Sequence, residues 1–449
     1  MGIYVSPRTS VVCGLIVAAS SFLGGGAYAA DLSLKDTTVP SYYYSGEDFW
    51  TRSSMFGDWG GLKSRAAAAG ITLSAGMVEE ALGNLSGGTR NAFGQAGQLD
   101  FKAAFDMNKL AGLQGGTFVA HFVQRWGINQ AENAGIPELQ LTNEVFGRGD
   151  ILRLPEFYYQ QKLFGDTVEV KGGRLAVGSD FFYQDCAFVN LGLCGGQPGN
   201  IVGSYIYNWP VSQWGGVVKV NLPENFALRV GVYDMNPNYL STNETIAALP
   251  TFPSFANPAG TPMRSTGTME VAELEWKPAL FGLKPSDYRV GGWTGDASML
   301  RVNSATATVS SESGVYFSLV QPLTSGGGYK DADPKAGLSA FLNASFADEK
   351  TSGEDRQISG GLIQHGTLNW RPNDEIGFGV AATHVNSAAL GNVNAGGWET
   401  AIEGWYGWQA TGWLNIKLDA QWLSFDYPTT STTANSGAFL VGARTSINF

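Results

Sequence analysis

Sixteen times along its 449 residues this chain alternates apolar and polar side chains with a period of two, and no other feature constrains its fold as tightly. The last stretch is the clearest. Phe439, Val441, Ala443, Thr445, Ile447 and Phe449 share one face, while Leu440, Gly442, Arg444, Ser446 and Asn448 take the other. Upstream, Leu99, Phe101, Ala103 and Phe105 oppose Asp100, Lys102 and Asp106, and Phe226, Leu228, Val230 and Val232 oppose Arg229 and Tyr233. Ala272, Leu274 and Trp276 likewise oppose Glu273 and Glu275. Successive side chains of a strand point to opposite faces, so each stretch reads as a strand with one apolar face. A soluble sandwich would bury that face and a membrane barrel would turn it to lipid, so alternation alone fits both.

The connections separate the two cases. Strands are expected near 71–82, 97–107, 116–126, 155–164, 168–176, 213–221, 225–234, 267–276, 287–294, 314–322, 336–346, 358–368, 375–385, 398–408, 411–421 and 437–449. These lengths approach the ~9–11 residues that cross a bilayer when tilted. One end would carry the long connections 83–96, 127–154, 177–212, 235–266, 295–313, 347–357, 386–397 and 423–436. The other would carry 108–115, 165–167, 222–224, 277–286, 323–335, 369–374 and 409–410. Long loops at one end and short turns at the other mark outer-membrane barrels, and a sandwich has no reason to sort its connections this way. The expected fold is all-β: a transmembrane antiparallel β-barrel of 16 strands with a short N-terminal helical lead-in. Trp126, Trp276, Trp370, Trp408 and Trp422 fall at or beside strand ends, as an interfacial girdle would.

The N-terminus fits export. Arg8, the apolar run 11–19 and Ala27-Tyr28-Ala29 read as a secretory signal peptide over 1–30. Its removal takes Cys13 away and leaves Cys186 and Cys194, eight positions apart. In an exported chain that spacing reads as a disulfide closing a small loop, with two free thiols or a metal pair as the alternatives. Residues 31–70 do not alternate and form a periplasmic or lumenal segment before the barrel of 71–449; in it Asp58 is expected to cap a short helix that Gly70 ends.

Composition removes other classes. With 28 Lys+Arg against 39 Asp+Glu the chain lacks the basic footprint of a nucleic-acid binder. Its three histidines, His121, His365 and His384, sit in no recognisable catalytic or metal-ligating motif, so neither an enzyme, a metal site nor a cofactor is expected.

Several stretches resemble one family. Gly57-Asp58-Trp59-Gly60-Gly61-Leu62-Lys63-Ser64-Arg65, Leu82-Gly83-Asn84-Leu85-Ser86-Gly87-Gly88 and Tyr159-Gln160-Gln161-Lys162-Leu163-Phe164 are similar to segments of the OprB family of carbohydrate-selective porins. So are Gly173-Arg174-Leu175-Ala176, the stretch from Cys186 through Asn190 to Cys194-Gly195, and the terminal Thr445-Ser446-Ile447-Asn448-Phe449. Loop 235–266, rich in Thr, Pro and Ala, departs from the family pattern. The resemblance implies a passive channel for monosaccharides such as glucose in the outer membrane of a Gram-negative bacterium, without naming the preferred sugar. It also implies contact with outer-membrane lipid and lipopolysaccharide, as a monomer or a trimer. Phe449 closing the last strand looks like the signal read by the barrel-assembly machinery.

A channel that favours a neutral sugar needs paired charges for its hydroxyls and rings for its C–H faces, and must hold it weakly. Lumen-facing candidates are Lys102, Arg125, Arg229, Arg289, Lys417 and Arg444 with Glu80, Asp100, Asp106, Glu156, Glu273, Glu275, Glu399 and Glu403. Arg174 is also placed in the lumen, although it follows Gly172-Gly173, where a bulge would change the face it takes. Loop 177–212 is the longest connection, carries both cysteines, and concentrates Asp180, Phe181, Phe182, Tyr183, Asp185, Tyr205, Tyr207 and Trp209. Folded inward, it would make the constriction. The expected polar contacts are Arg125, Glu156, Arg174, Asp180 and Arg229, with Phe181 and Phe182 as stacking partners. A general non-selective porin and a plugged adhesin are the competing readings.

Overall fold

The computed structural model describes residues 48–182, 186–242, 267–297, 299–304, 306–324, 336–366, 371–388, 396–427 and 437–449. The expected signal peptide of 1–30, residues 31–47, Tyr183, Asp185, most of loop 235–266 and Trp370 lie outside the described residues.

Sixteen strands close into one antiparallel barrel: β1 (Ile71–Ser86), β2 (Phe93–Asp106), β3 (Gly116–Gly127), β4 (Leu152–Leu163), β5 (Val168–Leu175), β6 (Gln213–Leu222), β7 (Phe226–Asp234), β8 (Thr268–Trp276), β9 (Asp287–Gly295), β12 (Glu312–Pro322), β13 (Gly337–Ala347), β14 (Glu354–His365), β15 (Glu375–Val385), β16 (Gly397–Gln409), β17 (Leu414–Asp426) and β18 (Gly437–Asn448). A small hairpin, β10 (Met299–Leu300) with β11 (Thr308–Val309), stands in the connection between β9 and β12. β1 pairs with β2 on one side and β18 on the other, so no strand edge is left unpaired.

The outward face decides between sandwich and barrel. Leu99 and Phe101 on β2, Val230 on β7, Val290 on β9, Phe378 on β15 and Leu418 on β17 are all exposed, at positions spread around the wall. Apolar surface in such a continuous band belongs in hydrocarbon, not in water. Their neighbours in sequence, including Asp100, Arg229, Glu273, Arg289 and Asp419, point inward and are buried.

Several strands run further than the sequence indicates. β1 continues to Ser86 and β14 starts at Glu354, so connections expected at 83–96 and 347–357 shrink to 87–92 and 348–353. β17 is Leu414–Asp426 rather than 411–421. The reason lies in what fills the lumen. At this end the inward side chains Ala401, Leu423, Phe425, Ala438 and Leu440 are apolar and pack on Ala131, Ala134 and Ile136 of an inserted loop. The strand pairing persists there although the polar-in pattern has lapsed.

At the short-turn end the lead-in crosses the seam of the barrel. Met55 N donates to Asn448 O at 2.7 Å, Phe56 stacks on Phe449 with centroids 5.3 Å apart, and Lys63 Nζ donates to Phe449 O at 3.0 Å. Helix α1 (Leu62–Ala68) follows. Its N-cap is Gly61, at φ 86°, not Asp58 as expected from sequence. Asp58 instead reaches past it to accept from Ser64 N at 2.8 Å and Ser64 Oγ at 2.6 Å, serving the same open helix end from further back. Gly70, at φ 90°, ends the helix as expected.

Candidate functional site

Two connections at the long-loop end fold into the lumen. The β5–β6 connection, 176–212, leaves the wall at Phe181 and Phe182, which pack on Tyr233, Trp293 and Tyr316. It then crosses to the far wall. Val189 N and Asn190 N donate to the Glu403 carboxylate at 2.7 and 2.8 Å, and Arg444 donates to Phe188 O at 3.0 Å. The Phe188 side chain sits against Phe341 and Trp405. Gln197 and Asn200 tie the next turn to Ser359 and Gln357. Cys186 and Cys194 are joined, with Cα atoms 4.3 Å apart, and the bridge packs on Val123, Ala176 and Trp209.

The β3–β4 connection, 128–151, also enters the lumen. Helix α3 (Gln130–Ala134) seats its alanines on β16–β18, while Leu139 N and Gln140 N donate to Glu399 and Val145 N donates to Glu80 at 3.2 Å. Inward carboxylates thus serve as acceptors for loop backbone, which would otherwise hold orphaned N–H groups in a dry interior. The two loops join through Glu144 N to Val189 O at 2.9 Å and Leu191 N to Leu141 O at 2.8 Å.

Between them lies a cavity of about 280 Å³ lined by Arg125, Leu141, Glu144, Phe146, Gly147, Arg148, Leu191, Gly195, Asn208 and Trp209. Arg125 reaches it from the end of β3. Its Nε donates to Gln98 at 2.8 Å, its Nη1 to Gly147 O at 2.9 Å, and its Nη2 lies 3.8 Å from the Glu144 carboxylate. Glu144 is shared with Arg444 at 3.2 Å. Arg148 is held by a left-handed backbone, φ 77°, followed by Gly149 at φ 94°. Burial lowers its pKa from the ordinary value, although a guanidinium remains charged throughout the physiological range. Behind the cavity, Arg153 donates to Arg148 O, Tyr239 O and Ser241 O, and Arg174 donates to Ser212 O at 3.0 Å with its guanidinium over the Tyr239 ring.

Of the seven contacts expected from sequence, Arg125 lines this cavity. Arg174 lies just behind it and is buried. Lys171 and Arg174, three residues apart, are both buried because Gly173 sits at φ 143°, where a Cβ would come 2.3 Å from Phe157 O. The others meet different partners. Glu156 binds Lys102 at 2.7 Å and His121 at 3.1 Å, and Asp180 binds Lys171 at 2.6 Å. Arg229 is spent on Glu273 at 2.8 Å and Glu275 at 2.9 Å. Phe181 and Phe182 are corrected outright as stacking surfaces. At 0% and 3% exposure they anchor the loop root in an apolar cluster, where no solute meets their faces. The rings at the cavity are Phe146 and Trp209.

Sequence reasoning missed Glu144 and Arg148 because it assigned the constriction to one loop. The available signal was length: 127–154 is also long, and it starts immediately after Arg125.

Comparison with known proteins now has a geometry to meet. Residues 90–449 match the model of the family described as carbohydrate-selective porin, OprB family. The chain is 32% identical over 349 residues to the putative porin QuiX of Acinetobacter baylyi, covering 76% of each chain. It is 30% identical over 409 residues to porin B of Pseudomonas aeruginosa, covering 82% of this chain and 86% of that one. The high-pH structure of Pseudomonas putida OprB superposes with a TM-score of 0.79 at 30% identity, covering 90% of this chain and all of that one. A closed sixteen-stranded wall with an apolar exterior and a loop-narrowed polar lumen is what such a channel requires, and the protein belongs to the OprB family of carbohydrate-selective porins of the Gram-negative outer membrane.

Proposed function

We propose that the solute path runs through the opening between the two inserted loops, and that monosaccharides such as glucose cross it singly and passively. The observation that carries this reading is the tie between Glu144 and Val189 and between Leu191 and Leu141, which joins both loops across the lumen and leaves the cavity beside them. In this reading Arg125, Arg148, Glu144 and Asn208 bind hydroxyls, and the Trp209 ring meets the C–H face. Arg174 holds the wall of the opening through Ser212. Glu156, Asp180 and Arg229 brace the barrel. Contacts of this kind are individually modest in a wet pore, so a sugar can leave as readily as it enters. No covalent chemistry is required of any residue. Phe449, stacked under Phe56, is proposed to act as the assembly signal before the lead-in covers it.

The test is single-channel current through the purified protein in a planar bilayer, titrated with glucose and then maltose. A small conductance reduced saturably by glucose, with the reduction weakened by Arg125→Ala, supports the reading. A large conductance indifferent to both sugars makes this a general diffusion pore and overturns it.

A further inference from the structure

The charges around the opening do not balance, and the imbalance has a direction. Among the described residues Glu144 is the one carboxylate lining the cavity, and it serves both Arg125 and Arg444, the latter also lying 3.5 Å from Glu80 behind it. The Arg148 guanidinium lines the same cavity and makes no hydrogen bond or ion pair among the described residues. Arg153, directly behind, is held by three backbone carbonyls and no carboxylate among the described residues. Among the described residues lining the cavity, the buried side-chain atoms without a hydrogen-bond partner are both donors, Arg125 Nη2 and Trp209 Nε1.

A neutral hexose brings donors and acceptors together, and would leave its own hydroxyl protons facing this surplus of donors. A carboxylate brings acceptors only, two oxygens in the fork geometry that a guanidinium matches. The volume is at the small end of the ~300–1,000 Å³ of small-molecule clefts, which fits one sugar-sized solute. We propose that the opening takes monoanionic sugar acids, polyhydroxylated carboxylates of hexose size such as aldonates, in preference to neutral hexoses, with Arg148 as the partner of the carboxylate. Asn208 and Trp209 then meet the polyol part, and Glu144 keeps the field from holding the anion too tightly. The left-handed backbone at Arg148-Gly149 sets the chain direction from which the Arg148 side chain reaches the opening.

This inference rests on the reading that the opening is the solute path, and one experiment separates the two. Single-channel current of the full chain is titrated with gluconate, glucose and acetate at constant ionic strength. Gluconate is expected to block at a concentration about tenfold lower than glucose, with acetate weaker than either. Arg148→Gln should bring the gluconate-to-glucose ratio to about one, and Arg148→Lys should keep part of it, since a lysine retains charge without the fork. Equal block by gluconate and glucose in the native protein overturns the sugar-acid proposal and leaves the sugar channel standing. Equal block by gluconate and acetate also overturns it, as a positive field without polyol recognition. No block by any of the three removes the underlying path as well.

Discussion

Two charged regions of one lumen are built on opposite principles. On β7–β9, Arg229, Arg289 and Lys277 meet Glu273, Glu275 and Asp287 in a closed network with contacts of 2.6 to 3.4 Å. Three cations answer three carboxylates, and Glu273 accepts further bonds from Tyr316 Oη at 2.8 Å and Phe182 N at 3.2 Å. Around the opening, Arg125 and Arg444 share Glu144, Arg148 has no partner among the described residues, and Arg153 has only carbonyls. The first region is saturated and holds the wall and the root of the loop. The second keeps donors unspent, which costs stability and leaves something for a solute to bind. Charge in a pore therefore has to be read with its partners: the same residue type is a brace in one place and a contact in the other.

The contrast can be broken most forcefully at Glu273. Glu273→Ala takes one carboxylate from two buried guanidiniums, which keep Glu275 and Asp287, and leaves Tyr316 Oη and Phe182 N without their acceptor. It should cost about 2–3 kcal/mol, read as a lower denaturant midpoint of the barrel, while Arg148→Ala should shift that midpoint by only about 0.5 kcal/mol. Equal losses would mean that the opening is also structural. Next comes the bridge. Cys186→Ser with Cys194→Ser frees a short loop and should weaken its seat by roughly 2–3 kcal/mol. Faster amide exchange at Val189 and Asn190, with noisier and larger currents, is the expected sign.

The smallest effect is a pH dependence. Burial raises the pKa of Glu138, in the 128–151 loop, from 4.5 to about 7, against hydrogen bonds from Asn129 and Thr142 that favour ionisation; Glu132 and the Glu399 carboxylate lie near it. A carboxyl raised on folding favours the seated loop fully below its unfolded pKa and loses that contribution as pH rises through the folded value. Protection factors at Leu139 and Gln140, the intrinsic base-catalysed exchange rate divided by the observed one, should therefore fall between about pH 4.5 and 7, and Glu138→Gln should flatten this profile.

What was legible in the sequence follows from which interactions are local. The alternation of Phe439 to Phe449 is set by lipid on one side and polar lumen on the other, so the wall could be read strand by strand. Loop seats could not be read so, because they depend on partners far away in sequence: Val189 on Glu403, Leu139 on Glu399, Val145 on Glu80. Phe181 and Phe182 misled for the same reason. Aromatic residues beside a pore are equally good as binding surfaces and as anchors, and only Tyr233, Trp293 and Tyr316 on the facing wall settle which they are.

The most direct test of the central claim is a thiol placed in the opening. Because Cys186 and Cys194 are already joined, Arg148→Cys in a protein expressed without residues 1–30, and so without Cys13, supplies a single reactive thiol. If solute passes between the two loops, a bulky thiol reagent added during recording should abolish most of the current and its block by glucose. Complete labelling, established by mass, with current and sugar block unchanged would contradict the account and send the path elsewhere in the barrel.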